Sequence, residues 1–194
     1  MMLKKGMVAA SFAAIPFIAT TFAAEADVPN LPLNADYCAI KRAMTGKSDP
    51  DCPVVMAPGI PRSYSQDAAP LDSVQDAKGY YIHFAFGSDD LTADYQAHLS
   101  RLSEVLSSDE LGNLCLKLVG HTDAVGSAQF NMTLSERRAR TVRLYMVGAM
   151  NFDASRIVTE GVGESQLLPS MSGEDARNRR VEILARDPDG SACT

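Results

Sequence analysis

Asp123, Asn131, Arg138, Arg179 and Arg180 are the residues of this chain whose types and spacing could do chemistry together. Asp123 follows a strand-like run, Arg138 lies early in a helical run, and Arg179 and Arg180 open a further strand-like run. A layered fold sets such segment ends side by side. One carboxylate and at least one guanidinium, spaced apart in a crevice, match a zwitterion. The carboxylate takes an ammonium, and a guanidinium holds a carboxylate by two parallel hydrogen bonds. Asn131 adds a neutral donor and acceptor for an amide or carboxylate edge. The same residues also permit a structural ion pair of Asp123 with Arg138 or with Arg179, and pattern alone does not choose between these uses.

Other chemistries find less support. There is no Cys-x-x-Cys, and His83, His98 and His121 are scattered, so neither a metal nor another cofactor is expected. No paired-carboxylate or zinc constellation suggests an enzyme. Ser88 with Asp89 and Asp90 lacks the spacing of a hydrolase or a calcium loop and reads as a turn. His121 has no adjacent nucleophile and is expected to fix a strand end by hydrogen bonds.

Several elements must position these residues. Residues 80–86 are aromatic and β-branched enough for a strand, ended by turn chemistry at Gly87 to Asp90. Tyr95, Leu99, Leu102 and Leu106 recur at helical spacing, which predicts an amphipathic helix over 92–106. Alternation over 114–119 predicts a second strand, leading into Gly120. Thr133 and Glu136 have capping-box spacing and predict a helix from Leu134 to about Met150, closed by Asn151 in the left-handed conformation. Arg138 then falls on a stripe with Val142, Tyr145 and Ala149, and an inward guanidinium needs a partner. Strands over 156–161 and 179–185 follow, separated by a loop over 163–177 with room for a short helix. The order β-α-β-α-β-loop-β implies an α+β domain, a single sheet with helices on one face.

The flanks read differently. Lys4 and Lys5 precede an uncharged stretch over 6–24, and Ala24-Glu25-Ala26 offers a cleavage site, so 1–26 is expected to be a signal peptide. The rival reading is an uncleaved anchor, and the absence of a cysteine just after the apolar stretch argues against acylation. Export makes disulfides the default for four cysteines. Cys38 and Cys52 are the natural local pair, leaving Cys115 for Cys193, although four cysteines permit three connectivities. Residues 27–78 hold seven of the ten prolines, which forbids long helices and suggests a stapled loop or small cap followed by a linker. A short helix fits 36–44. After the 79–186 domain, a turn at 187–190 begins a tail over 187–194. A net charge of −6 with no basic stripe argues against nucleic-acid binding.

Gly120-His121-Thr122-Asp123, Gly126, Asn131, Leu134-Ser135-x-x-Arg138-Ala139 and Asn178-Arg179-Arg180-Val181-Glu182-Ile183 together resemble the OmpA-like peptidoglycan-binding domain. The resemblance covers about 80–185 and keeps its motif blocks in order. It implies a mixed four-stranded sheet with helices packed on it, and non-catalytic binding of the meso-diaminopimelate in the peptide stem of peptidoglycan. Carried onto this sequence, Asp123 takes the ammonium and Arg138 the carboxylate, with Asn131 and Arg179 completing the polar contacts. Thr122 and Ser88 are ligand contacts by the same resemblance, the backbone over 86–88 forming part of the pocket wall. The implied setting is the Gram-negative cell envelope: the periplasm, associated with the wall, at the inner face of the outer membrane. Residues 27–78 are then the part expected to face an envelope protein partner. The alternative is an envelope assembly or secretion-complex component that uses the fold for protein contacts.

Overall fold

The computed structural model describes residues 31–47, 49–52, 79–186 and 193. The expected signal peptide, the expected linker and most of the tail lie outside the described residues. Within them the order is α1 (Tyr37–Thr45), β1 (Gly79–His83), α2 (Ala93–Leu106), β2 (Cys115–His121), α3 (Ala128–Met150), β3 (Ile157–Gly163) and β4 (Arg180–Arg186). Single 3-10 turns at Ala154–Arg156 and Ala176–Asn178 lead into β3 and β4.

The four strands form one sheet in the order β1-β4-β2-β3. β4 runs antiparallel to both β1 and β2, whereas β2 and β3 are parallel, so the sheet is mixed. Alternation along the strands sends Tyr80, Ile82, Leu116, Leu118, Val181 and Ile183 into one core with the helices. Tyr81, Glu182 and Val119 lie in register on the opposite face, and Arg180, two residues before Glu182 and opposite His83, lies on that face as well. The α+β class expected from the sequence is the observed one.

Local chemistry accounts for most of the boundaries. Thr92 caps α2 by accepting from the Tyr95 N–H, and Leu99, Leu102 and Leu106 are its buried stripe. Asn151, at φ 52°, closes α3 as expected. Two boundaries differ. α3 begins at Ala128, six residues before the expected start, because Ser127 serves as its cap and accepts from the Phe130 N–H at 3.2 Å. Thr133 instead donates back to the Gln129 carbonyl at 3.1 Å, as a hydroxyl inside a helix does. β1 ends at His83 rather than Phe86, since the chain turns away where the carbonyls of Phe84 and Ala85 are taken by arginine side chains.

α1 is not a freestanding cap. Asp36 caps it, Gly46 closes it in the left-handed conformation, and Ile40 and Met44 are fully buried in the common core. Lys41 holds Asp49 and Glu110 together, which ties the stapled loop to the turn before β2. His98 and Arg101 of α2 both reach the Leu33 carbonyl. Cys38 is bonded to Cys52 and Cys115 to Cys193.

Two glycines set the height of α3 above the sheet. A Cβ on Gly120 would lie 2.0 Å from the Ser135 carbonyl oxygen, and one on Gly161 would lie 2.5 Å from the Glu136 nitrogen. The bare backbone at both positions lets α3 rest directly on β2 and β3. Ser135 secures the contact by accepting from the Gly163 N–H at 2.9 Å. That approach places Asn131 and Arg138, one turn to either side of Ser135, against the strand ends.

Candidate functional site

Arg138 is fully buried, and the partners its position demanded are backbone carbonyls. Nε donates to Ser88 O at 2.8 Å, Nη1 to His121 O at 2.9 Å and Nη2 to Ala85 O at 3.1 Å. The Phe84 ring lies 5.3 Å from the guanidinium carbon. One side chain thus fastens the loop after β1 and the end of β2 to α3. Burial lowers the guanidinium pKa to about 10, with Asp123 opposing the shift and Arg179 adding to it. The group remains charged at neutral pH. Three of its five N–H groups are used, which leaves one on each terminal nitrogen.

Asp123 is buried just beyond β2 and pairs with Arg179, whose Nη1 lies 3.0 Å from its Oδ2. Of the two ion pairs open to Asp123, the direct contact is therefore with Arg179. Arg179 also donates from Nε to Phe84 O at 3.2 Å, and its own carbonyl accepts from the Phe84 N–H at 2.9 Å. Asn131 is buried with its amide nitrogen 3.2 Å from both Asp123 O and Val125 O and 2.5 Å from a carboxylate oxygen of Glu164. Its two hydrogens pin the 123–125 turn and reach the loop after β3.

Asp123, Asn131, Arg138 and Arg179 are thus brought together as one cluster. Thr122 adjoins it: its N–H donates to Gly163 O at 2.9 Å, and its buried hydroxyl oxygen has no hydrogen-bond partner. Ser88 contributes its carbonyl to Arg138, while its hydroxyl turns away to Asp90 at 3.1 Å. Arg180 sits on the other face of the sheet, bonded to Glu182 at 2.6 Å and 5.3 Å from the Tyr81 ring. Beside it lies the His121 ring, with Nε2 3.3 Å from Glu182 Oε1. Burial, with the Arg180 charge second, pushes the His121 pKa down to about 3 and keeps the imidazole neutral. His121 therefore contributes to the cluster through its carbonyl.

Glu164 was not among the residues singled out from the sequence. It stands alone in a polar loop, and only its proximity to Asn131 marks it. Among the described residues no group of three or more His, Cys, Asp or Glu could hold a metal ion, and no helix is long and apolar enough to cross a membrane.

Comparisons with known proteins bear on the fold. The model of the OmpA family matches residues 83–180, from the end of β1 to the start of β4. The chain is 48% identical over 67 residues to outer membrane protein A of Bordetella avium, covering 34% of each chain. It is 32% identical over 110 residues to outer membrane protein A of Serratia marcescens, covering 56% of this chain and 30% of that one. The chain thus spans about a third of the length of these relatives. Among solved structures, the OmpA-like domain of FopA1 from Francisella tularensis has the same fold, with a TM-score of 0.50 at 21% identity, covering 65% of this chain and 90% of that one.

Proposed function

Because the chain belongs to the OmpA family, we propose that its domain binds peptidoglycan without catalysis, through the diaminopimelate of the peptide stem, and so tethers an envelope component to the cell wall. The observation that carries this reading is one buried carboxylate just after β2 beside two guanidinium groups, Arg138 from the middle of α3 and Arg179 just before β4. A free zwitterionic carbon carries one ammonium and one carboxylate, and this cluster has a counterpart for each.

Asp123 is already paired and Arg138 has no exposed surface, so the ligand must compete with Arg179. Arg179 is the most exposed of the three side chains. On this reading the ammonium takes its place on Asp123 Oδ2. The displaced guanidinium and the two remaining N–H groups of Arg138 then donate to the ligand carboxylate. Asn131, held by Glu164, keeps the Asp123 turn from following the ligand. The proposed setting is the periplasm, against the wall at the inner face of the outer membrane, with the stapled N-terminal region facing a protein partner.

Cosedimentation with purified sacculi tests the reading. Asp123→Asn keeps the shape and removes the charge, and it is expected to abolish binding while leaving thermal unfolding within a few degrees of the parent. Retained binding would sink the proposal. The internal pairing of Asp123 with Arg179 is the one observation that favours the second reading, a fold used for protein contacts. Recovery of a stoichiometric envelope partner, with no binding to sacculi, would support it.

A further inference from the structure

Asn178, the residue before Arg179, is fully buried, and its side chain is bonded into the loop after β3. Oδ1 accepts from the Leu168 N–H at 2.8 Å, and Nδ2 donates to Ser172 O at 3.0 Å and to Gly173 O at 3.3 Å. Both amide hydrogens and the oxygen are used, so the loop from Leu168 to Gly173 is folded around this one side chain. The Gly173 carbonyl also accepts from the Ala124 N–H at 2.8 Å. A Cβ on Gly173 would lie 3.0 Å from the Ala124 methyl, and the bare backbone lets the loop rest against the turn that carries Asp123. That turn aims the carboxylate: the Val125 N–H lies 3.4 Å from Asp123 Oδ1, while Oδ2 faces Arg179. Asn131 holds the turn from the α3 side, through the carbonyls of Asp123 and Val125. Gly173 holds it from the loop side, through the Ala124 N–H.

Closing the loop does not by itself require Asn178. Turns within it are already closed where Met171 and Asp175 donate back to Leu168 and Ser172. What the Asn178 bonds add is the placement of Gly173 O, and that carbonyl reaches Ala124. Arg179 adjoins Asn178 in the chain, so one residue governs both partners of the ion pair: Asp123 through Gly173 and Ala124, Arg179 through the shared peptide. We infer that Asn178 is a positioning residue for ligand binding, which fixes the separation and direction of the Asp123 carboxylate and the Arg179 guanidinium between which an ammonium must enter. The inference rests on the diaminopimelate reading given above for the identity of the ligand.

Calorimetric titration with meso-diaminopimelate and amide hydrogen exchange, both on the disulfide-bonded chain, test it. Asn178→Asp keeps the acceptor for Leu168 and loses both donors, which frees Gly173 O. Gly173→Ala pushes the loop off Ala124 and leaves Asn178 in place. Each should weaken binding about tenfold, the worth of one lost hydrogen bond, in chains that circular dichroism shows to be folded. In each the Ala124 amide should exchange faster, while the Thr122 amide, which donates to Gly163 O, should keep the parent's protection. A merely structural role would speed exchange at both amides and leave the affinity of the folded chain unchanged. Should Asn178→Asp fail to fold, Gly173→Ala decides alone. Parent-like affinity in the folded variants, or equal acceleration at Thr122 and Ala124, would overturn the inference and leave the charged site standing. Absence of binding by the parent would overturn both readings.

Discussion

Replacing Arg138 by alanine should destabilise the domain before it reports on any ligand. The side chain is fully buried and makes three charge-assisted bonds to the carbonyls of Ser88, His121 and Ala85. These losses are unequal. Ala85 O keeps the Ser88 N–H at 3.2 Å, and Ser88 is only partly buried, so water can reach its carbonyl. His121 belongs to a buried strand end, and its carbonyl loses a donor that water does not readily replace. At about 1.5–3 kcal/mol for a bond to a charged group, and less where another partner remains, the bonds sum to about 3 kcal/mol. The space left beside Phe84 adds roughly another 1–2 kcal/mol, and release of the desolvated charge returns part of that total. The expected net loss is about 3–4 kcal/mol, a large share of a typical domain's stability. Urea unfolding with the disulfides intact measures it, and Arg138→Lys should fall between parent and alanine because an ammonium cannot span three carbonyls. A loss below about 1 kcal/mol for Arg138→Ala would refute the argument, since the loop after β1 and the end of β2 would then be held by something else.

Three further outcomes follow from the packing and the buried titratable groups. Gly120→Ala should cost about 3 kcal/mol, because its Cβ meets the backbone of Ser135 at 2.0 Å and α3 must lift; Gly148→Ala, where a Cβ meets nothing, should stabilise by about 0.5–1 kcal/mol in the same urea assay. The folded-state pKa of His121 lies near 3, below its ordinary 6.5, so its contribution to stability is complete above pH 6.5 and is lost as the pH falls toward 3. His83 and His98 are lowered by burial and act in the same direction, so unfolding midpoints should drop between pH 7.5 and 5, and by less in His121→Gln. Cys38→Ser with Cys52→Ser removes a link between residues 14 apart and should lower stability by about 3 kcal/mol, with the amides of α1 exchanging faster than those of α2.

Element order, the α+β class and the close of α3 at Asn151 were legible because they depend on neighbouring residues. Thr92, Asp36 and Asn151 each act within four positions of their own element. The start of α3 was not legible in this way. Thr133-x-x-Glu136 and Ser127 are competing local signals, and the choice between them is made by the sheet. Starting at Ala128 puts Asn131 against the 123–125 turn and adds nearly two turns of helix beside β3, gains that no window of sequence contains. The early end of β1 has the same kind of cause, since the carbonyl of Ala85 answers to an arginine 53 residues away. Asp123, Asn131 and Arg179 were legible as members of a polar cluster. Glu164 was not, because nothing in Gly163-Glu164-Ser165 distinguishes a carboxylate held by Asn131 from one in solvent.

Arg138 explains why a charge on an apolar stripe is tolerated and why its removal is a poor test of binding. A guanidinium offers five donors in a fixed plane, and three of them suffice to hold one loop and a strand end, so the residue would be favoured even without a ligand. The remaining two donors are what a ligand would use, and they are aligned only because the first three are occupied. Structural and recognition roles therefore cannot be divided at this residue by deleting it. They can be divided at Asp123, where Asn preserves volume and leaves the backbone carbonyl that Asn131 holds untouched. If binding fails in Asp123→Asn while urea stability moves by less than about 1 kcal/mol, the carboxylate is there for recognition. If stability falls by several kcal/mol instead, the pair with Arg179 is structural.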